Sequence, residues 1–203
     1  MATVKAGAAA LGFRVKSGWA VSVLIGGSTG APRLRESCVI DLCDPRNPET
    51  RQPYHAAMGK LETNAVTLKR RVQSVRRATE RSIADLIDRC ADDGGAIHRA
   101  ALVVGSVIDP ESIANPHIRA HALEGRLFRT VLEGALRSRG IQCAIFTERD
   151  VYPRASNLLG QSPVQIRKTI AELGHSVSGP WRADQKVAAL AAWTSLEQRP
   201  MEK

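Results

Sequence analysis

The stretch spanning residues 11–23, LGFRVKSGWAVSV, constrains the fold more than any other part of the chain. Leu11, Phe13 and Val15 alternate along it, so an extended backbone places all three on one face. Ser17-Gly18 interrupts the run, and Trp19, Val21 and Val23 begin a second alternation of the same period. Two such runs joined by a Ser-Gly pair predict a tight β-hairpin that opens a sheet.

Downstream, the turn-rich segment 26–32 (GGSTGAP) leads into a third predicted strand, with Leu34, Glu36, Cys38, Ile40 and Leu42 on one face. Residues 44–53 hold three prolines and no apolar periodicity, which reads as a surface excursion rather than a domain boundary. From 54 to 90 the pattern is helical: Leu61, Ala65, Leu68, Val72, Val75, Thr79, Ser82/Ile83 and Leu86 recur at steps of four and three. A helix over that span would be on the order of 50 Å long, stopped by Asp92-Asp93-Gly94-Gly95. Such a helix overhangs a small sheet, which predicts a homodimer through its outer half. The alternative is a kink near Gly59 or a break into two shorter helices.

The same helix carries Lys69, Arg70, Arg71, Arg76, Arg77 and Arg81. The pairs Lys69/Arg70 and Arg76/Arg77 stand seven residues apart and make a stripe suited to a phosphate backbone. Lys69, Arg70, Arg76, Arg77 and Arg81 are therefore the candidate nucleic-acid-binding residues. A solvated face is the plainer reading, since aromatic residues are only 4% of the chain and offer little base stacking. The net charge of +9 points the same way as the stripe, to an acidic partner, with nucleic acid ahead of an anionic membrane surface.

Residues 98–108 form a near-continuous apolar run, typical of a strand buried on both faces. A helix over 117–138 and a strand over 141–147 follow, the spacing of a right-handed crossover into a parallel pair. Residues 150–160 read as a loop containing Tyr152-Pro153. Ser162-Pro163 opens another helix, and a last one runs over 182–197 with alanines that allow close packing. The chain of 203 residues, 43% hydrophobic and 24% charged, is large enough for a single domain over 1–203 with a full core. Its opening residues resemble a weak signal peptide, but cleavage would remove the first strand, so they are read as structure. No apolar run approaches the ~20 residues of a membrane span. Cys38, Cys43, Cys90 and Cys143 form no CxxC pair and read as core residues of a reducing compartment, which predicts a cytoplasmic protein without a disulfide framework. No Walker-type loop is present and no cofactor is expected.

The element order is three antiparallel strands, helix, strand, helix, strand, then helices. It resembles the ribonuclease H-like fold, an α/β class with a five-stranded mixed sheet and one long helix after strand 3. Its ending is most similar to RuvC-type Holliday-junction resolvases. The opening motif of that family runs glycine, apolar, aspartate, a small loop, then Thr/Ser-Gly-aromatic-Gly/Ala-Val. Here the corresponding residues are Gly12-Phe13-Arg14 and Ser17-Gly18-Trp19-Ala20-Val21. The topology spans about 11–196, and residue matches are confined to the hairpin. The resemblance implies nucleic acid as ligand and carboxylates that hold two divalent cations. Arg14 stands where the first aspartate is implied, Gly105-Ser106 where a glutamate is implied, and only Asp184 remains, with basic neighbours Arg182 and Lys186. Arg14, Lys16, Ser106 and Asp184 therefore form a degenerate family site. The expectation is a catalytically silent, nucleic-acid-binding RuvC-like protein.

One polar constellation stands apart. On the helix over 117–138, Ala120, Leu127, Phe128, Val131 and Ala135 form an apolar stripe with Glu124 at its centre, His117 beside it and His121 on its flank. A carboxylate centred in such a stripe has to be paired, hydrogen-bonded or protonated. The favoured partner is Arg14 or Lys16 of the hairpin, in a structural ion pair. The functional alternative is an enzyme of altered chemistry with His117, His121, Glu124 and Asp184 as candidate catalytic residues. Two histidines four residues apart can share a metal, but HxxxH is common by chance and no metal site is assigned. A dimeric scaffold without ligand is the third reading.

Overall fold

A computed structural model describes residues 8–56, 59–91 and 96–196. The hairpin forms as predicted: β1 (Ala9–Lys16) pairs antiparallel with β2 (Trp19–Ser28). Gly18 makes the turn between them with φ 84°, a backbone region that L side chains rarely adopt. β3 (Ala31–Asp41) adds antiparallel to β2, and β4 (Ile97–Val104) and β5 (Gln142–Thr147) add parallel on the other side of β1. The five-stranded order is β3-β2-β1-β4-β5, so β1 is central. The helices are α1 (Ala65–Ala91), α2 (Pro116–Arg137), α3 (Val151–Leu159), α4 (Pro163–Leu173) and α5 (Ala183–Ser195).

Alternation along β1 divides the core in two. Leu11, Phe13 and Val15 pack with Val75, Ile83 and Leu86 of α1 and Phe128 and Leu132 of α2. On the other face, Val21, Val23, Ala101 and Val103 pack with Ile166 and Ile170 of α4 and with the alanine run and Trp193 of α5. The closest approach is at Gly12, where a Cβ would lie 1.9 Å from the Ala188 carbonyl oxygen. The alanines of α5 and this glycine together bring helix backbone onto strand backbone.

Several sequence expectations are corrected. The long helix begins at Ala65, not near 54, because Asn64 caps it: Asn64 Oδ1 accepts from Thr67 N at 2.9 Å. At 27 residues it is about 40 Å long. Of its seam, Ala65 is exposed and Leu68 and Val72 are half-buried. Val75, Thr79, Ile83, Leu86 and Cys90 are all buried within the chain, against α2 and β3. Arg71 is also buried and does not belong to the exposed stripe. The glycine stop at 92–95 lies outside the described residues.

The pairing of β3 with β2 shifts register: Leu24 opposes Glu36 and Ile25 opposes Leu34, so Leu34 packs on the α5 face while Ile40 and Leu42 pack on the α1 face. One extra residue in a bulged strand reverses every side chain beyond it. The predicted loop at 150–160 is largely α3. Its Pro153 falls in the first turn, where a missing N–H costs nothing, and Gly160 ends it with φ 61°. The four cysteines are free thiols. Burial pushes Cys38 up to about 11 and Cys90 and Cys143 up to about 12, so all three are protonated thiols at neutral pH. No helix among the described residues is long and apolar enough to cross a membrane.

Candidate functional site

The three parallel strands β1, β4 and β5 end at one edge of the sheet, the edge where open α/β sheets gather their ligand-binding residues. Arg14 points from β1 to the α5 face there and is almost inaccessible. Its guanidinium bonds Glu148, just beyond β5, and reaches Asp184 in the first turn of α5 at 3.6 Å. Nη1 also donates to the Val15 and Val103 carbonyls at 3.1 and 3.4 Å. Lys16 Nζ lies 3.2 Å from the same Asp184 carboxylate. Glu148 is a member of this group that sequence reasoning missed, since only its place after β5 brings it to the edge.

The divalent-cation pair implied by the resemblance can be tested on this arrangement. Such ions need several oxygen ligands apiece. Here Glu148 and Asp184 serve as counter-ions to Arg14 and Lys16, and Ser106 brings no charge. The residues present do not fit a two-metal centre. Asp109 is likewise engaged, accepting from Glu111 N at 3.2 Å and lying 3.8 Å from Arg126.

Beside this edge, β1 and β4 face the N-terminal half of α2 across a cleft of about 260 Å³. Lys16, Ser106, His121, Arg126 and Arg129 are among its lining residues. The Arg129 Nε is buried without a hydrogen-bond partner. The cleft is therefore positively charged. The exposed cations of α1, namely Lys69, Arg70, Arg76, Arg77 and Arg81, lie on the helix packed against α2. Of these, Arg70 also contacts Glu49 at 3.5 Å.

Glu124 is completely buried, as its place in the stripe predicts, but its partner is neither Arg14 nor Lys16. Arg14 belongs to the α5 face of the sheet and Glu124 to the α2 face. The carboxylate instead bonds His55, with Oε1 and Nδ1 2.7 Å apart, and its Oε2 lies 3.6 Å from His121 Nδ1. Burial pushes the Glu124 carboxyl up, and the His55 hydrogen bond opposes that shift. His121 is pushed down, first by burial and then by the neighbouring His55 and His117 rings.

His55 reaches α2 because the excursion between β3 and α1 is pinned. Buried Arg71 donates to the carbonyls of Pro53 and His55 at 3.2 and 3.1 Å and pairs with Glu49 at 3.1 Å and Glu62 at 3.3 Å. Backbone bonds from Ala56 N to Lys60 O (2.7 Å) and from Glu62 N to Tyr54 O (2.9 Å) tie the flanks of the segment together. Gly59, with φ 70°, turns its carbonyl to within 3.0 Å of His117 Nδ1. The structure thus brings His117, His121 and Glu124 together as proposed from the helix, adds His55, and leaves Asp184 on the opposite face. His55 was missed because the helical period was extended back over its loop. Asn64, an N-cap residue directly before Ala65, was the signal against that extension.

No protein-family model and no curated protein matches the chain. Among solved structures it superposes on RuvC of Thermus thermophilus with a TM-score of 0.52 at 11% identity, over 92% of each chain. The chain has the RuvC-type ribonuclease H-like fold. T. thermophilus RuvC solved in complex with Holliday junction substrate gives the same TM-score, 0.52, at 11% identity, over 92% of this chain and 91% of that one. The yeast mitochondrial Holliday junction resolvase Ydc2 aligns over 96% of this chain and 80% of its own, at 12% identity and a TM-score of 0.49. The RuvC-type backbone is shared across most of the chain.

Proposed function

We propose that this chain is a nucleic-acid-binding protein of RuvC-type fold in which the two-metal nuclease centre has been lost. The observation that carries the reading is Arg14, a buried cation held between Glu148 and Asp184 at the carboxyl edge of the sheet. A guanidinium there neutralises the acids that would otherwise bind metal and repel phosphate. The basic cleft at Lys16, Arg126 and Arg129, the exposed stripe on α1 and the net charge of +9 support the same reading. A cytoplasmic location is supported by the four free thiols. Homodimerisation through α1 is a further part of the reading: Val75, Thr79, Ile83 and Leu86 are buried inside the chain, but Ala65 and Val66 in the first turn are exposed and open to a second copy.

A gel shift on branched and linear DNA with a salt titration tests the binding, and the same substrates with Mg²⁺ or Mn²⁺ test the chemistry. Retardation that weakens steeply with salt, without cleavage, is expected. Absence of retardation at low salt, or cleavage that disappears in Asp184→Asn, overturns the reading.

A second reading, an enzyme of altered chemistry at His117, His121 and Glu124, is favoured by the arrival of His55 in that cluster. Turnover of a phosphodiester substrate that is lost in His121→Ala and kept in Asp184→Asn would select it.

A further inference from the structure

We infer that His55, His117 and His121 form a mononuclear site for a zinc-class divalent transition-metal ion, supported from behind by Glu124 and the Gly59 carbonyl. One ring nitrogen from each histidine can be chosen so that all three lie within 4.8 Å of one another. The Nε2 atoms of His117 and His121 are 3.3 Å apart. Two nitrogens bound to one tetrahedral zinc at about 2.0–2.1 Å stand about 3.3 Å apart.

The other ring nitrogens fix the tautomers. His55 Nδ1 faces Glu124 Oε1 at 2.7 Å and His117 Nδ1 faces the Gly59 carbonyl at 3.0 Å. A carbonyl only accepts, so His117 Nδ1 carries the hydrogen and the Nε2 of the neutral ring a lone pair; with Glu124 ionised the same tautomer follows for His55. Metal-bound histidines show this pattern, in which the distal N–H is held by a carboxylate or a backbone carbonyl. His121 Nδ1 lies 3.6 Å from the second Glu124 oxygen, beyond hydrogen-bond distance, and that oxygen is buried without a partner.

A hydrogen bond between His117 and His121 would account for that pair without a metal, but it leaves His55 unexplained. His55 Nε2 is buried and has no hydrogen-bond partner. A ring nitrogen withdrawn from water, with its ring centroid 5.2 and 4.5 Å from those of His117 and His121, is satisfied by a cation bound among the three rings. Three neutral nitrogens select zinc, cobalt or nickel over magnesium and calcium, which take oxygen ligands. His117 and His121 are exposed to solvent, so the fourth position faces water. His121 also lines the basic cleft with Lys16, Arg126 and Arg129, which places that open position beside an anion-attracting surface.

The test is calorimetric titration of Zn²⁺ into the full-length, tag-free chain after chelator treatment, with Mg²⁺ in parallel. One zinc per chain with a dissociation constant below about 1 μM is expected, with no heat from Mg²⁺. His55→Ala and His121→Ala should abolish this binding, and Glu124→Gln should weaken it about 10- to 100-fold. His98→Ala and His175→Ala should leave it unchanged. A measurement on the unaltered chain guards against misfolded variants: imidazole ¹⁵N resonances of the three cluster histidines shift with one equivalent of Zn²⁺, while those of His98 and His175 do not. Absence of stoichiometric zinc, shifts at His98 or His175 instead, or a Co²⁺ spectrum with thiolate charge-transfer bands overturns the assignment.

Discussion

A fully buried carboxylate needs a partner, and Glu124 takes one from a loop rather than from the sheet. Its burial was legible in the sequence, because the stripe from Ala120 to Ala135 surrounds it on the helix. Its partner was not. Alternation puts Arg14 opposite Phe13 and Val15, and strand order alone does not say which helix covers which face. The two charges therefore belong to separate networks, Arg14 with Glu148 and Asp184, Glu124 with His55. Glu124→Leu is expected to cost about 1–3 kcal/mol, because His55 Nδ1 is left buried without its acceptor. Arg14→Met should neither rescue nor deepen that loss: in urea unfolding the double variant should equal the sum of the singles within about 0.5 kcal/mol. A larger coupling would mean that the two networks share a partner.

Among the elements, α5 sets the tightest tolerance. Gly12 lies so close to it that a methyl group would penetrate the Ala188 carbonyl and approach Ala192 N at 2.7 Å. Both obstacles are backbone, which cannot rotate aside. Gly12→Ala should therefore cost about 1–3 kcal/mol or more, as over-packing does in close-packed cores. Gly134→Ala, where nothing lies within 4 Å of an added Cβ, should be neutral or stabilising. Equal melting temperatures for Gly12→Ala and the unaltered chain would show that α5 can move away. The sequence exposed this packing through the alanines of α5. It hid α3, where Tyr152-Pro153 looks like a breaker but sits in a first turn, and it hid the bulge that reverses β3 at Leu34, because a one-residue insertion leaves no mark on composition.

At the scale of the whole molecule, the fold was legible because its evidence is periodic and spread over every element, whereas the candidate site joins residues from a loop, a helix and strand ends that no local pattern connects. Charge acts at this scale too. If the exposed stripe on α1 follows a phosphate backbone, each cation in contact contributes about 0.9 to the slope of log K against log salt on duplex DNA. Arg76→Ala with Arg77→Ala should then lower the slope by about 1.8 and weaken binding alike on all sequences. An unchanged slope would confine nucleic acid to the cleft at Lys16 and Arg129. The central position of β1 has a different consequence, for the order in which the molecule can be completed. β1 pairs with β4 across a separation of 89 residues (Arg14 with Val103), and at Gly12 it meets Ala188 and Ala192 of α5. A nascent chain that has emerged as far as β5 can form the hairpin and the α1–α2 layer, yet Val21, Val23, Ala101 and Val103 lack the cover of α3 and α4 at that point and of α5 until the last helix is made. The first strand waits for the last helix, so a ribosome paused before α5 presents one apolar face of a nearly finished sheet to chaperones and to other nascent chains.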